Sequence, residues 1–315
     1  MTATRATPGP APATGLAPVR TPRAASAKAH PDRAPARRGA RTLVNVVLGL
    51  YVLYSILPLV AMVSLINKDT AGIDGTSLFS IHGFHLWQNV RTVFSYDGGI
   101  YLRWYGNTLL YAVVGAALQA LICCATGYAF DKFDFRFKKP LFMTVLVGSL
   151  IPMPVLMLPQ YLVFSKLGLV NTVFAILIPS MVNPAGVFLA RVFSSSYVPN
   201  EVVEAARIDG AGEGRVFRSI SLRLLMPGFA TIAIFAFTGI WQGFQLALIM
   251  LTNDHLYPVQ LGLWNMYVSA QSQGDSPQLL PVALTGSALA VIPLIVVMVC
   301  LQRFWKAGLT GGSIK

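Results

Sequence analysis

The sequence predicts an all-α integral membrane protein with six membrane-crossing helices. Three observations lead there: a composition too apolar for water, six long stretches free of Asp, Glu, Lys and Arg, and a marked asymmetry in where the basic residues fall. Of 315 residues, 55% are hydrophobic and 11% charged, whereas soluble domains carry about 25% charged residues. Such a chain cannot cover itself with polar surface and needs lipid around it. The net charge of +12 would point to nucleic acid in a soluble protein. Here the basic residues flank apolar stretches and no groove-binding motif accompanies them. They read as topology determinants and contacts to membrane lipid, and nucleic acid is not expected as a partner.

Residues 1–42 hold 12 Ala, 7 Pro and 8 Lys or Arg. A segment so poor in large apolar side chains cannot offset its ordering entropy, so it is expected to be a disordered basic tail. The apolar run that follows, residues 43–66, has 24 residues, too long for a signal-peptide core of about 7–15. It is expected to stay as the first membrane helix, which sets the domain division at 1–42 (tail) and 43–315 (membrane domain). The six longest stretches without Asp, Glu, Lys or Arg are 42–67, 104–130, 140–165, 167–190, 224–253 and 276–302. Each exceeds the roughly 20 residues that cross a bilayer at about 1.5 Å rise per residue. Gly168 and Asn171 supply turn chemistry between the third and fourth. Twenty of the 24 Lys and Arg fall in the tail, in 131–139, in 191–223 and after 302. The positive-inside rule then predicts both termini in the cytoplasm. Prolines at 58, 152, 154, 159, 179, 184, 281 and 293 are expected to kink the helices that hold them.

Within the six stretches the only ionisable side chains are cysteine and tyrosine. Ion-coupled carriers place an Asp, Glu, His or Lys at membrane depth, so the composition speaks against one, although backbone carbonyls can hold Na⁺. The polar candidates at depth are Gln119, Gln160, Trp241, Gln242 and Gln245. Indole faces stack on sugar rings and amides bond hydroxyls. The alternative for each is a hydrogen bond between helices. The chain has no G-x-x-x-x-G-K-[ST] loop for phosphate, and the glycine run from Gly210 to Gly214 does not fit G-x-G-x-x-G. Cys123, Cys124 and Cys300 lie in apolar runs and no Cys/His set has metal spacing, while His82 and His85 stand three apart in a loop. No nucleophile–base set converges. The chain is therefore not expected to be an enzyme or to hold a metal or cofactor, and ATP, if it drives the process, must be hydrolysed by another chain.

The segment 191–223 carries the most information. Pro199 suits the first turn of a helix, and Glu201 and Glu204 complement its positive end. Gly210 suits the left-handed residue that terminates it. A second helix is expected near Glu213, with Val216, Phe217, Ile220 and Leu224 on one face. Ala205 and Ala206 would give this helix pair a small-residue surface able to enter a groove on a partner.

This segment resembles the "EAA" loop of bacterial ABC importer permeases: E-A-A, three residues, G, nine residues, I-x-L-P. Glu204-Ala205-Ala206, Gly210, Ile220 and Leu222 fall in register. The string EAARIDGAG is similar to that of the MalG-like carbohydrate subgroup. Asn107-Thr108, Tyr128-Ala129-Phe130, Pro159-Gln160-Tyr161, the run from Leu167 to Thr172 and the ending from Gly308 to Lys315 also resemble that family, over about residues 43–315. Two departures stand out: Arg223 replaces the motif's proline, with Pro227 nearby, and Trp241-Gln242-Gly243 replaces Trp-Asn-Asp/Glu. The resemblance implies a permease domain in the bacterial cytoplasmic membrane whose cytoplasmic 198–227 loop, between the fourth and fifth crossings, docks on a separate ATPase. Glu204 would pair with a basic group there, Ala205 and Ala206 would allow close approach, and Gly210 would make the turn, with Asp209, Ile220 and Leu222 in the same docking loop. It also implies a second permease in a heterodimer, an ATPase dimer holding ATP and Mg, and an external solute-binding protein. The solute is expected to be a sugar or oligosaccharide. The alternatives are a non-sugar solute such as glycerol phosphate or a polyamine, and an ion-coupled secondary carrier.

Overall fold

The computed structural model describes the backbone of residues 34–80, 83–272 and 278–310, with side chains described from 41 to 299 within those ranges. Among the described residues there is no β-strand. The helices are α1 (Ala34–Leu65), α2 (Thr70–Gly75), α3 (Leu86–Ser95), α4 (Ile100–Lys132), α5 (Lys138–Gly148), α6 (Met153–Lys166), α7 (Phe174–Ser180), α8 (Pro184–Tyr197), α9 (Asn200–Ile208), α10 (Glu213–Val216), α11 (Leu222–Leu224), α12 (Met226–Trp241), α13 (Gln245–Met250), α14 (Val259–Gln271) and α15 (Leu279–Thr310).

The chain divides into residues 1–55 and 56–315. In the first unit the described part is the beginning of α1. Residues 1–33, and with them most of the expected basic tail, lie outside the described residues. From Ala34 onward the chain is helical, so the expected boundary at residue 42 falls inside α1. Alanine and arginine are strong helix formers, and Pro35 sits in the first turn, where its missing N–H costs nothing.

In the second unit α4 is the spine, packing along its length against α12, α8, α7 and α14. Four apolar clusters follow one another down this helix. The first joins Val93, Tyr101 and Trp104 to Leu263, Met266 and Val282. The second joins Tyr111 to Ala175, Met250 and Leu261. The third joins Cys123 and Cys124 to Phe142, Ala190 and Ile232. The fourth joins Tyr128 to Val198, Val203, Val216 and Leu225. Gly127 brings α4 close to the α8 backbone: a Cβ there would lie 2.6 Å from both the Ala190 Cβ and the Arg191 backbone N. The cysteines pack as small apolar residues, as their surroundings predict; the side chain of Cys300 lies outside the described ones.

Three helical segments are individually long and apolar enough to cross a membrane: Arg41–Leu65, Leu86–Lys132 and Leu279–Val299. Three bent pairs raise the total to as many as six. The expected third stretch is two helices, α5 and α6, meeting at 104°. Pro152 is extended and precedes α6, with Pro154 in its first turn. The fourth is α7 and α8, bent by 44°, with Asn183 Oδ1 capping the Gly186 N–H at 2.9 Å and Pro184 opening α8. Proline thus does two jobs. Pro58, Pro159, Pro179 and Pro293 sit inside helices, whereas Pro152, Pro154 and Pro184 mark new starts, where fixed φ is preorganised. The expectation that each proline kinks its helix is corrected at these three. The turn after α6 uses left-handed residues at Gly168 and Asn171. Asn171 Oδ1 accepts from the Thr252 and Asn253 N–H groups, joining this turn to the end of α13.

The Gly127 contact predicts a stability difference. Gly127→Leu should destabilise the protein by about 1–3 kcal/mol through overpacking against the α8 backbone, while Gly239→Ala, where a Cβ meets nothing within 4 Å, should be neutral or slightly stabilising. Melting temperatures of the detergent-purified variants, read by size-exclusion after heating, check this.

Candidate functional site

The loop between α8 and α12 is a folded unit with a buried underside and an exposed face. α9 begins after Pro199, with Glu201 in its first turn and Arg207 in its last, so both charges complement the helix dipole. Gly210 has φ +78°. The Gly210 N–H bonds the Arg207 carbonyl and the Ala211 N–H the Ala206 carbonyl, both at 3.0 Å. These are the two hydrogen bonds of a Schellman cap. A Cβ on Gly210 would meet nothing within 4 Å, so glycine is needed there for its backbone conformation and not for space. Across the turn, Arg207 Nε donates to Glu213 Oε1 at 2.7 Å and a terminal nitrogen to Oε2 at 3.2 Å. This bidentate pair bridges the two helices across the turn, and the hydrogen bond to Glu213 raises the Arg207 pKa above its ordinary value.

The second helix departs from the expected register. Residues 217–221 form a π-helical turn, so the buried positions are Val216, Ser221 and Leu225, each 0% exposed. Leu224, expected on the inner face, is exposed. The extra residue of the π-turn hands the inner position from 224 to 225. The chain then bends by 78° into α12, with Pro227 in the first turn of α12. Arg223, which stands where the motif has proline, is exposed just before this bend.

Of the predicted docking residues, Glu204, Ala205, Asp209 and Gly210 lie together on the exposed face. Beside them Ile208 is 87% exposed. Ala206 turns inward and is buried with Val203 against Tyr128 and Val216, so the outward small-residue surface is Ala205 alone. Ile220 packs at the edge of the same cluster, and Leu222 packs against the cluster of α4, α5 and α8.

Sequence reasoning missed the clamp beneath the loop. Lys132, at the end of α4, has a side chain only 6% exposed. Its Nζ donates to the Val198 carbonyl at 2.6 Å and to Asn200 Oδ1 at 2.7 Å, and pairs with Asp131 Oδ2 at 3.0 Å. That carboxylate also accepts from Ser194 Oγ at 2.8 Å. The last turn of α8 and the first of α9 are thereby tied to α4. Two more polar groups at this junction, the hydroxyls of Tyr128 and Ser221, are buried without a hydrogen-bond partner among the described residues.

The five polar candidates at depth are not brought together. Gln119 is buried in α4. Trp241 is 1% exposed; its indole N–H donates to the Ala290 carbonyl at 3.2 Å, and its ring packs on Phe237 and Tyr105. This is a helix–helix contact. Gln160 is half-buried on α6, and Gln242 and Gln245 are exposed at the α12–α13 break. A pocket of about 470 Å³ lies elsewhere, lined by Phe244, Gln260, Leu263, Trp264, Tyr267, Ala283, Leu284 and Ser287, and includes none of the five. His82 lies outside the described residues; His85 precedes α3.

Several long apolar helices, bent apolar helix pairs and a folded polar loop between α8 and α12 mark a multi-pass protein of the cell membrane. The chain belongs to the family described as binding-protein-dependent transport system inner membrane component, whose model matches residues 122–310. Members are permease subunits and not enzymes themselves. The Arabinooligosaccharides transport system permease protein AraQ of Halalkalibacterium halodurans is 32% identical over 219 residues, 70% of this chain and 76% of that protein. The Lactose transport system permease protein LacG of Rhizobium radiobacter is 28% identical over 270 residues, 85% of this chain and 94% of that protein. A chain from the crystal structure of a bacterial ABC transporter involved in the import of the acidic polysaccharide alginate has the same fold, with a TM-score of 0.75 at 22% identity, covering 87% of this chain and 99% of that one.

The clamp predicts a local effect. Lys132→Met removes charge-assisted bonds worth about 1.5–3 kcal/mol each, so amide hydrogen exchange across 198–210 should accelerate by about tenfold or more. Lys138→Met, which removes the pair with the exposed Asp134 and a long 3.5 Å bond to the Asp131 carbonyl but no bond to residues 198–210, should leave that segment nearly unchanged. Hydrogen-exchange mass spectrometry on the purified protein reads both.

Proposed function

We propose that this chain is one membrane subunit of an ATP-driven importer, that it forms half of the pathway for a sugar or oligosaccharide, and that its 198–227 loop couples the pathway to a separate ATPase. The observation that carries the reading is the loop itself: an exposed face bearing Glu204, Ala205, Ile208 and Asp209 on a helix pair whose underside is packed and clamped to α4. A face held this way moves as a body with the helix behind it, so displacement of the loop displaces α4 and, through their shared packing, α8 and α12. A flexible connector would dissipate the same push.

In this reading the chain crosses the membrane six times, the bent helix pairs each counting as one crossing, with both termini in the cytoplasm beside most of the Lys and Arg. The ATPase dimer carries ATP and Mg, Glu204 pairs with one of its basic groups, and Ala205 and the exposed Ile208 enter its groove. A second permease completes the pathway and an external binding protein delivers the solute. The names of the relatives, which refer to arabinooligosaccharides and lactose, support a sugar, as does the lack of Asp, Glu, Lys and Arg in the apolar stretches.

Gly210→Val forces a β-branched residue into the left-handed region, which costs about 1–2 kcal/mol. It should lower uptake about tenfold with membrane insertion unchanged, as read by uptake assays alongside quantification of the chain in purified membranes. Normal uptake by a correctly inserted variant would count against the docking role.

A further inference from the structure

We infer that the pocket between the α12–α13 break, α14 and the start of α15 is a contact site for a ring of the transported saccharide. The inference rests on the sugar-import reading above and adds to it a place on this chain where the solute is touched. Trp264 and Tyr267 are large aromatic residues left 45% and 38% exposed, with ring centroids 5.8 Å apart and planes tilted by 32°. Phe244 meets Trp264 edge-on at 5.5 Å and holds it in place from the far side of the break. Together they form an aromatic wall.

The polar groups beside this wall are short of partners. Neither the Gln260 amide nor the Trp264 indole N–H has a hydrogen-bond partner among the described residues. The Tyr267 hydroxyl accepts from Gln271 Nε2 at 3.2 Å, and its own proton remains available to donate. Ser287 Oγ donates to the Ala283 carbonyl at 2.8 Å, and its lone pairs remain available to accept. The lining carries no Asp, Glu, Lys, Arg or His.

A lipid chain would satisfy the aromatic wall and leave the amide and the indole N–H unpaired, at a cost. A phosphate or an amine would find no counter-charge. A saccharide ring fits both features, since its C–H face stacks on an aromatic plane and its hydroxyls both donate and accept. The volume lies within the roughly 300–1,000 Å³ of small-molecule sites. The pocket sits at the end of α15 remote from its basic residues Arg303 and Lys306, and that end is external in the proposed topology, where the solute arrives.

The test uses the complete importer reconstituted in lipid vesicles, with uptake of radiolabelled maltotriose, arabinotriose and lactose measured at saturating binding protein alongside ATP hydrolysis. For a sugar that the wild type carries, Trp264→Ala should lower uptake about fivefold to tenfold with ATP hydrolysis unchanged, so that less sugar moves per ATP. Trp264→Phe should restore most of it, and Gln260→Leu should show a smaller loss of the same kind. A structural role for Trp264 would instead lower uptake and hydrolysis together. Unchanged uptake in both Trp264→Ala and Gln260→Leu overturns the inference and leaves the import reading standing. Loss of the second permease from the Trp264→Ala complex also overturns it, because the pocket is then a seat for that subunit. If none of the three sugars enters while ATP hydrolysis still responds to the binding protein, the sugar reading fails and the pocket inference with it.

Discussion

The ammonium group of Lys132 is the point on which the mechanics of this chain turn. It lies at the end of the most central helix, nearly excluded from solvent, among the Asp131 carboxylate, the Val198 carbonyl and the Asn200 side chain. A buried ammonium is tolerable only when its donors are satisfied and a counter-charge is near, so the groups that satisfy it cannot drift away cheaply. They belong to the start of the exposed loop. The same helix end carries Tyr128, which packs on the underside of that loop, and the residue before it, Gly127, lies against Ala190. Loop, α4 and α8 are therefore one mechanical body at this end of the molecule, joined by charge, by apolar packing and by close backbone approach.

The bent helix pairs follow from a different constraint. A backbone in lipid must satisfy its own hydrogen bonds, so it can be interrupted only where something replaces the lost partners. At the α7–α8 break the replacement is Asn183 capping α8; in the turn between α6 and α7 the Asn171 side chain likewise accepts from the backbone N–H groups of residues 252 and 253. These devices give the helices their bends without leaving open ends.

The sequence carried the class of fold in its composition, since apolar runs of this length permit little besides helices. It also carried the loop, because Pro199, the acidic first turn and Gly210 are local signals whose meaning does not depend on distant residues. What it could not carry were features set by contacts far apart in the chain. Lys132 reaches residues 66 and 68 positions away, and no spacing rule announces such a partner. The π-turn at 217–221 changes the inner face by one residue without any marker such as glycine or proline. Residue type alone suggests an outward Ala206 and leaves Trp241 open between the pathway and a helix–helix contact; packing turns both inward. The aromatic pocket is not legible locally, because Phe244, Trp264 and Ser287 meet from three separate segments and no spacing rule joins them. The breaks at Pro152 and Pro184 were half legible: proline marks a discontinuity, but whether it kinks a helix or starts one depends on the residues before it.

The central claim is that the exposed face of α9 seats on a separate nucleotide-binding chain. The most direct measurement places a single cysteine at the exposed Ala205 in native membranes, applies a short thiol cross-linker, and identifies the captured chain by mass spectrometry with and without ATP. The account predicts one adduct, to an ATPase subunit, whose yield changes with nucleotide. Recovery of a transport-competent homo-oligomer from which no ATPase can be cross-linked or co-purified would contradict it.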